Sequence, residues 1–364
     1  MTVLSITLSW VGVAVLVVLV LGYASSISRR SPSAVGDPAL AAELGRLCSR
    51  RTRRLAASVV DLGDHPSTRS AFVRCDAATR FEIGSVTKAL TGLLLADALE
   101  RGEVTLQTQV GEVIAKAHGT PLGGVTLLEL CTHTSGLPRL ALRPMTLLRV
   151  PLHGLLGLDP YRGTSPTSLL SAAARQHLRR RGHYRYSNLG AAVLGQVVAT
   201  VAGRDFSEVL RERLLDPLSL GGAGVSTPDQ HADWGWSPLG VPFMPWVMGG
   251  YAPAGGVFAT LDDLTALAQG LLDESSPGQS ALAPLHDIGA GRQIGLFWMT
   301  DTVAGTGRQM VWHNGATGGY SAFFALFPQA RRAVVVVANT SGRKETERVA
   351  TALARWLARS RQDL

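Results

Sequence analysis

Lysine is nearly missing from this chain. Of its 364 residues, 35 are basic, yet only Lys88, Lys116 and Lys344 are lysines and the rest are arginines. Arginine is used wherever any positive charge suffices. A lysine inside a motif is therefore informative, because an amine can give up its proton near neutrality and a guanidinium cannot. Cysteine is equally scarce. Cys48, Cys75 and Cys131 form an odd set without metal-ligand spacing, which supports neither a zinc site nor a disulfide framework. A single Cys48–Cys75 bridge stays open should the domain be exported, and Cys131, in the apolar run Leu127–Cys131, reads as a buried small hydrophobe. Aromatic residues make up only 6%, and no internal repeat or low-complexity tract is visible. What is present, 46% hydrophobic against 17% charged residues, describes a folded chain with a sizeable core, one large unit or two packed subdomains.

A net charge of +8 raises the question of nucleic acid, but the basic residues are scattered and not interleaved with aromatics, so no nucleic-acid partner is expected. The densest basic cluster, Arg50, Arg51, Arg53 and Arg54, reads as a solvated face, with anionic lipid headgroups as the alternative. From Val3 to Ala24 the chain is apolar and uncharged for about 20 residues, the length of a bilayer-spanning helix. Residues 1–24 are therefore expected to form a transmembrane anchor, a cleaved signal being the alternative. Residues 25–37 read as a linker and 38–364 as the folded domain. Positive charge after the apolar stretch would hold that domain in the cytoplasm.

The spacing predicts a helix at 38–50, strands at 54–62 and 69–75, and a strongly helical segment from Ser85 to Glu100 stopped by Gly102. Further helices are expected at 168–180, 188–202 and 206–215. Strands follow at 293–300, 309–313, 320–327 and 333–339, with a last helix at 345–358. The order implies an α+β fold, with an antiparallel sheet assembled from both chain ends, flanked by helices and interrupted by a mainly helical insertion.

Three short stretches can carry chemistry. In Phe81-Glu82-Ile83-Gly84-Ser85-Val86-Thr87-Lys88, the serine and lysine lie three residues apart at a helix start and share a face, so the amine can reach the hydroxyl. Burial and the helix dipole both favour a neutral amine, which can take the serine proton. The second stretch is Tyr184-Arg185-Tyr186-Ser187-Asn188-Leu189-Gly190, ahead of a helix. The third is Trp312-His313-Asn314-Gly315-Ala316-Thr317-Gly318-Gly319-Tyr320, where a strand reaches glycines that let backbone approach a ligand. Each alone is also readable as a helix start, a cap or a hairpin.

Together, in this order, they resemble the serine β-lactamase and penicillin-binding protein superfamily. Tyr-x-Asn is similar to the middle element of the class C β-lactamase branch, with its D-alanyl-D-alanine carboxypeptidases and esterases. Cys131-Thr132-His133-Thr134-Ser135-Gly136-Leu137-Pro138 and Pro253–Thr260 fit the same branch, and the likeness covers residues 38–358. The resemblance implies a β-lactamase/transpeptidase-like fold, no cofactor and no metal, and a catalytic domain outside the cytoplasm, against the charge flanks. It implies Ser85 as acylated nucleophile, Lys88 as proton acceptor and Tyr186 as proton shuttle. Asn188, His313 and Gly315 would contact substrate, and the amides of Ser85 and Ala316 would form the oxyanion hole. The partner is then a small-molecule or peptide acyl donor, with the membrane met through the N-terminal helix.

Two departures bear on substrate. His313 stands where the third motif carries lysine, which removes a permanent charge and tilts the expectation from β-lactams toward peptides and esters. Arg179, Arg180, Arg181 and His183 replace the Pro-Gly turn common before Tyr-x-Asn. No Gly-x-Ser-x-Gly elbow is present, and His133 is read as part of a structural loop rather than as a base. Residues 139–165, basic and apolar, read as packed on the domain or as a cap over substrate, and Trp234, Trp236, Met244, Trp246 and Met248 as lining or flanking the groove. A β-lactamase and a catalytically silent envelope-binding protein on the same fold are the alternatives.

Overall fold

In a computed structural model, residues 33–359 are described apart from 50–51, 142–152, 154–155 and 304–306. The central layer is an antiparallel sheet built from β1 (Ala34–Gly36), β2 (Leu55–Asp61), β3 (Ser67–Val73), β4 (His286–Gly289), β5 (Arg292–Ile294), β6 (Met299–Thr302), β7 (Gln309–Ala316), β8 (Ser321–Phe327) and β9 (Arg332–Ala338). Its order is β1-β3-β2-β9-β8-β7-β6-β5-β4. The first and last thirds of the chain meet where β2 pairs β9, from Asp61 opposite Arg332 to Leu55 opposite Ala338.

Successive side chains of a strand point to opposite faces, and β9 divides its valines accordingly. Val334 and Val336 pack with Leu40 and Leu44 of α1 (Pro38–Leu47) and with Val349 and Leu353, near the end of the chain. Val335 and Val337 enter the larger core beneath α2 (Val86–Glu100), α3 (Asn188–Ala202) and α4 (Leu261–Leu272). The last helix, α5 (Arg343–Arg359), covers the α1 side. A strand covered on both faces needs a continuous apolar run, which the valine run supplies.

α2 and α3 occupy the helical body and are apolar nearly all round, as core helices are. α2 places Ser85 at its N-cap and buries every side chain from Val86 to Ala98. α3 begins where the Ser187 hydroxyl accepts from the Gly190 amide at 2.8 Å, and it ends at Gly203 in the left-handed conformation. That cap fixes Tyr186 and Asn188 on either side of Ser187.

Several expectations are corrected. The N-terminal membrane-spanning helix is not borne out: no helix among the described residues is long and apolar enough to cross a membrane, and residues 1–32 lie outside the described residues. α2 and α3, 15 residues each, are short of the roughly 20 a bilayer requires and commit their apolar surface to the core. Cys48 and Cys75 are both free thiols. Cys75 Sγ donates to the Leu55 carbonyl at 3.4 Å, and burial pushes both thiols up to about 11. Cys131 is a buried thiol facing the Leu128 carbonyl. Arg53 stacks over Trp236 at 3.6 Å and Arg54 pairs with Asp233 at 2.6 Å, so half of the basic cluster is taken up by the fold. The strand expected at 293–300 is two, β5 and β6. Between them Phe297 takes a φ of +66° and donates its amide to the Cys131 carbonyl, which ties this turn to the helical body. In the basic, apolar segment at 139–165, residues 142–152 and 154–155 also lie outside the described residues.

One buried ion pair holds the two chain ends in register. Arg332 Nε donates to Asp61 Oδ2 at 3.0 Å across the β2–β9 ladder, and Arg332 Nη1 reaches the Leu357 carbonyl at 3.3 Å. Asp61→Ala leaves the guanidinium buried without its carboxylate and is expected to cost about 3–5 kcal/mol. Urea titration checks this; a loss below about 1 kcal/mol would mean the pair is solvated.

Candidate active site

The site lies where the N-terminus of α2 meets the end of β7. Gly84 has a φ of +51°, and a Cβ there would sit 2.7 Å from the Ala316 nitrogen. A Cβ on Gly315 would sit 1.9 Å from the Ile83 carbonyl and 3.1 Å from the Ser85 nitrogen. Only glycine at both positions lets the strand run against the Ile83–Ser85 backbone. This contact brings the amides of Ser85 and Ala316 to one edge of the groove.

At the centre, Lys88 Nζ lies 3.1 Å from Ser85 Oγ and donates to the Ala254 carbonyl at 2.5 Å. The Tyr186 hydroxyl donates to the same Ser85 Oγ at 2.7 Å. Lys88 is wholly buried, and no carboxylate pairs with it among the described residues. Burial holds its amine well below the ordinary lysine value of 10.5, and the Arg139 charge adds to the effect. In its neutral form the amine can keep its N–H bond to Ala254 and offer a lone pair to the serine proton. Such a serine can add to a carbonyl, with the two amides placed for the developing oxyanion.

Asn188 is buried beside the site, its side chain on the Tyr161 hydroxyl and its Oδ1 without a partner among the described residues. His313 is buried on the face of β7 shared with Val311 and Gly315, and its Nδ1 donates to the Asn314 carbonyl at 2.6 Å. Every sequence-predicted site residue thus converges on one groove. His133 makes no hydrogen bond to Ser85. Its backbone is left-handed, its Nδ1 accepts from the Ser187 amide at 3.3 Å, and its ring packs 4.6 Å from that of Tyr186, so it supports the tyrosine. Burial keeps it neutral.

Sequence reasoning missed several neighbours. Ala254 contributes only its carbonyl, Arg139 lies over the Tyr186 ring at 5.9 Å, and Tyr161 packs on Trp246 and Tyr251. Nothing in a linear pattern marks a carbonyl acceptor or a distant aromatic pair; Arg139, one residue after Pro138 in a matched motif, was the findable one. Of the aromatic and methionine group, Trp246 joins this wall and Met248 packs under Gly255 next to Gly84. The Arg179–His183 segment also takes a definite form. The amides of Arg179, Gly182 and Arg185 donate to the carbonyls of Gly136, Thr134 and His133, so the absent Pro-Gly turn is replaced by a backbone clasp. Among the described residues no group of His, Cys, Asp or Glu stands ready to hold a metal ion.

Glu82, three residues before Ser85, is buried and accepts from the Trp246 amide and the Thr317 hydroxyl. Asp159 holds the neighbouring Val247 amide at 2.8 Å. The two carboxyls thereby pin the Trp246–Val247 segment along the groove. Burial foremost, with Asp159 nearby, pushes the Glu82 carboxyl up to about 7. An acid whose value is raised by folding binds its proton more tightly in the native chain. Its stabilisation is full below the ordinary 4.5 and is lost as pH rises to about 7, a span worth about 3 kcal/mol. Urea stability of the wild-type chain is expected to fall over that interval relative to Glu82→Gln. Parallel pH profiles for the two would contradict the assignment.

Comparison with known proteins agrees with this geometry. The family model described as Beta-lactamase matches residues 46–358. Similar proteins include an unguisins hydrolase of Aspergillus campestris, 27% identical over 302 residues, covering 72% of this chain and 53% of that one. A beta-lactamase of Escherichia coli is 24% identical over 306 residues, 72% of this chain and 75% of its own. The D-alanyl-D-alanine-carboxypeptidase/endopeptidase AmpH of the same organism is 24% identical over 288 residues, 71% and 70%. The chain thus spans about half the length of the Aspergillus protein and about three quarters of the Escherichia coli beta-lactamase. A solved class C beta lactamase from Rhodobacter sphaeroides shares the fold, with a TM-score of 0.71 at 20% identity over 88% of this chain and 100% of that one. With the family match running through both halves of the sheet and all three motifs, the chain belongs to the beta-lactamase family of serine hydrolases.

Proposed function

We propose that the chain hydrolyses amide or ester acyl donors through a covalent acyl-Ser85 intermediate. The observation that carries this reading is the wholly buried Lys88 amine, 3.1 Å from Ser85 Oγ and without a carboxylate partner among the described residues. Ser85 Oγ adds to the substrate carbonyl as its proton passes to Lys88 Nζ. The oxyanion is held by the amides of Ser85 and Ala316. As the bond to the leaving group breaks, the proton returns through Tyr186, whose hydroxyl already touches Ser85 Oγ. Water then adds to the acyl-enzyme, its proton following the same groups, and the acid leaves with Ser85 restored.

Asn188 is assigned to the substrate's amide side chain, since its buried Oδ1 needs a donor that a ligand N–H supplies. His313 fills the place of the third-motif lysine and withholds a fixed charge. Peptide-like amides therefore rank ahead of small esters, and β-lactams third.

A fluorophosphonate is expected to add covalently to Ser85, with intact mass showing one adduct that Ser85→Ala loses. Lys88→Ala is expected to slow turnover of p-nitrophenyl esters by roughly 10²–10⁴-fold. No adduct on folded protein, or equal labelling of the alanine variant, would contradict the reading.

A further inference from the structure

Tyr186 and both of its chain neighbours are held by a single residue. The His133 carbonyl accepts from the Arg185 amide at 2.7 Å, and its ring Nδ1 accepts from the Ser187 amide at 3.3 Å. Between those two bonds the imidazole lies against the Tyr186 ring, 4.6 Å from it. Backbone and ring of the tyrosine are thus set from the same point.

His133 is itself fixed. It is buried after the short helix Leu127–Cys131, with a φ of +58°, a conformation that His, Asn and Asp enter more readily than other side chains do. The ring of Phe297 packs 5.1 Å from the imidazole, and the Phe297 amide is bonded to the Cys131 carbonyl. The clamp is therefore anchored to both the helical body and the β5–β6 turn.

The ring's chemistry points beyond packing. Accepting at Nδ1 requires the neutral imidazole with its proton on Nε2. That Nε2 has no partner among the described residues. A phenyl ring would fill the same space without burying an unpaired N–H. What the imidazole adds here is the bond to Ser187, and through it the placement of the tyrosine.

The Tyr186 hydroxyl meets Ser85 Oγ at 2.7 Å, and a proton donor works within hydrogen-bond reach. As the acyl C–O or C–N bond breaks, the Tyr186 proton passes to the leaving oxygen or nitrogen, and the proton that Lys88 took from Ser85 replaces it. A displaced tyrosine would leave Ser85 and Lys88 in place and the leaving group without its proton.

We propose that His133 is a positioning residue for this transfer, acting through Tyr186 and touching neither Ser85 nor substrate. The inference rests on the acyl-Ser85 reading.

Two esters of phenylacetic acid test it. The 4-nitrophenyl ester loses a phenolate that needs no proton, and the benzyl ester loses an alkoxide that does. Glycine at 133 keeps the left-handed backbone and the carbonyl but removes the ring, whereas asparagine also restores an acceptor. In His133→Gly the ratio of kcat/KM, 4-nitrophenyl over benzyl, is expected to rise by at least about tenfold. In His133→Asn it is expected to return to within about threefold of wild type. Tyr186→Phe is expected to raise the ratio at least as far, with no further rise on adding His133→Gly. Both rates are read on one preparation, so loss of folded protein lowers both and leaves the ratio intact. A ratio unchanged in His133→Gly, one that His133→Asn leaves as high, or a further rise in the double variant overturns the proposal. If the wild type turns over neither ester, it is the hydrolytic reading that fails. Tyrosine-selective isotope labelling then decides the clamp, the chain having six tyrosines and the Tyr186 amide signal being assigned by its loss in Tyr186→Phe. One sharp signal in wild type and His133→Asn, split or broadened in His133→Gly, supports the clamp; a signal equally sharp in His133→Gly overturns it.

Discussion

A primary amine sealed inside a protein with no carboxylate beside it is poorly tolerated as a cation, and the site depends on that constraint. Desolvation disfavours the charged form of Lys88, and the Arg139 charge acts in the same direction. The fold supplies the burial. α2 sinks into the helical body, and the Ala254 carbonyl takes one N–H of the amine, which lies 3.1 Å from Ser85 Oγ. Had a carboxylate stood in place of that carbonyl, the amine would be held as an ammonium and could not accept a proton.

The same economy governs the groups around it. Tyr186 and Asn188 flank a serine that caps α3, so one local hydrogen bond sets two side chains at the groove. Gly84 and Gly315 are the complementary device on the other wall, where any side chain would force β7 away from the α2 N-terminus. Glu82 and Asp159 fix the Trp246–Val247 strip by its amides. Arg139 lies over the Tyr186 ring at the groove, and its charge adds to the lowering of Lys88.

Much of this was legible in the sequence. The α+β order and the pairing of the chain ends through the Val334–Val337 run follow from periodicity, and the grouping of Ser85, Lys88, Tyr186, Asn188, His313, Gly315 and Ala316 is what the family resemblance of the three motifs implies. What escaped is what linear patterns do not encode. The break between β5 and β6 depends on Phe297 reaching the distant Cys131 carbonyl, so an apolar stretch read as one strand. The free thiols of Cys48 and Cys75 follow from where their backbones run, which no count reveals. Arg53 and Arg54 looked like solvent charge because Trp236 and Asp233 lie some 180 residues away. The apolar N-terminal stretch had the length of a membrane span, and no described helix has both the length and the apolarity for one.

The most direct test is the protonation of Lys88 itself. With only three lysines in the chain, lysine-selective isotope labelling gives a spectrum simple enough for each side chain to be followed through a pH titration, the Lys88 signal being assigned by its loss in Lys88→Met. That signal is expected to titrate well below the ordinary 10.5, so that the amine is neutral where the enzyme works. A Lys88 signal that titrates at the ordinary value would contradict the account, since an ammonium beside Ser85 cannot take its proton.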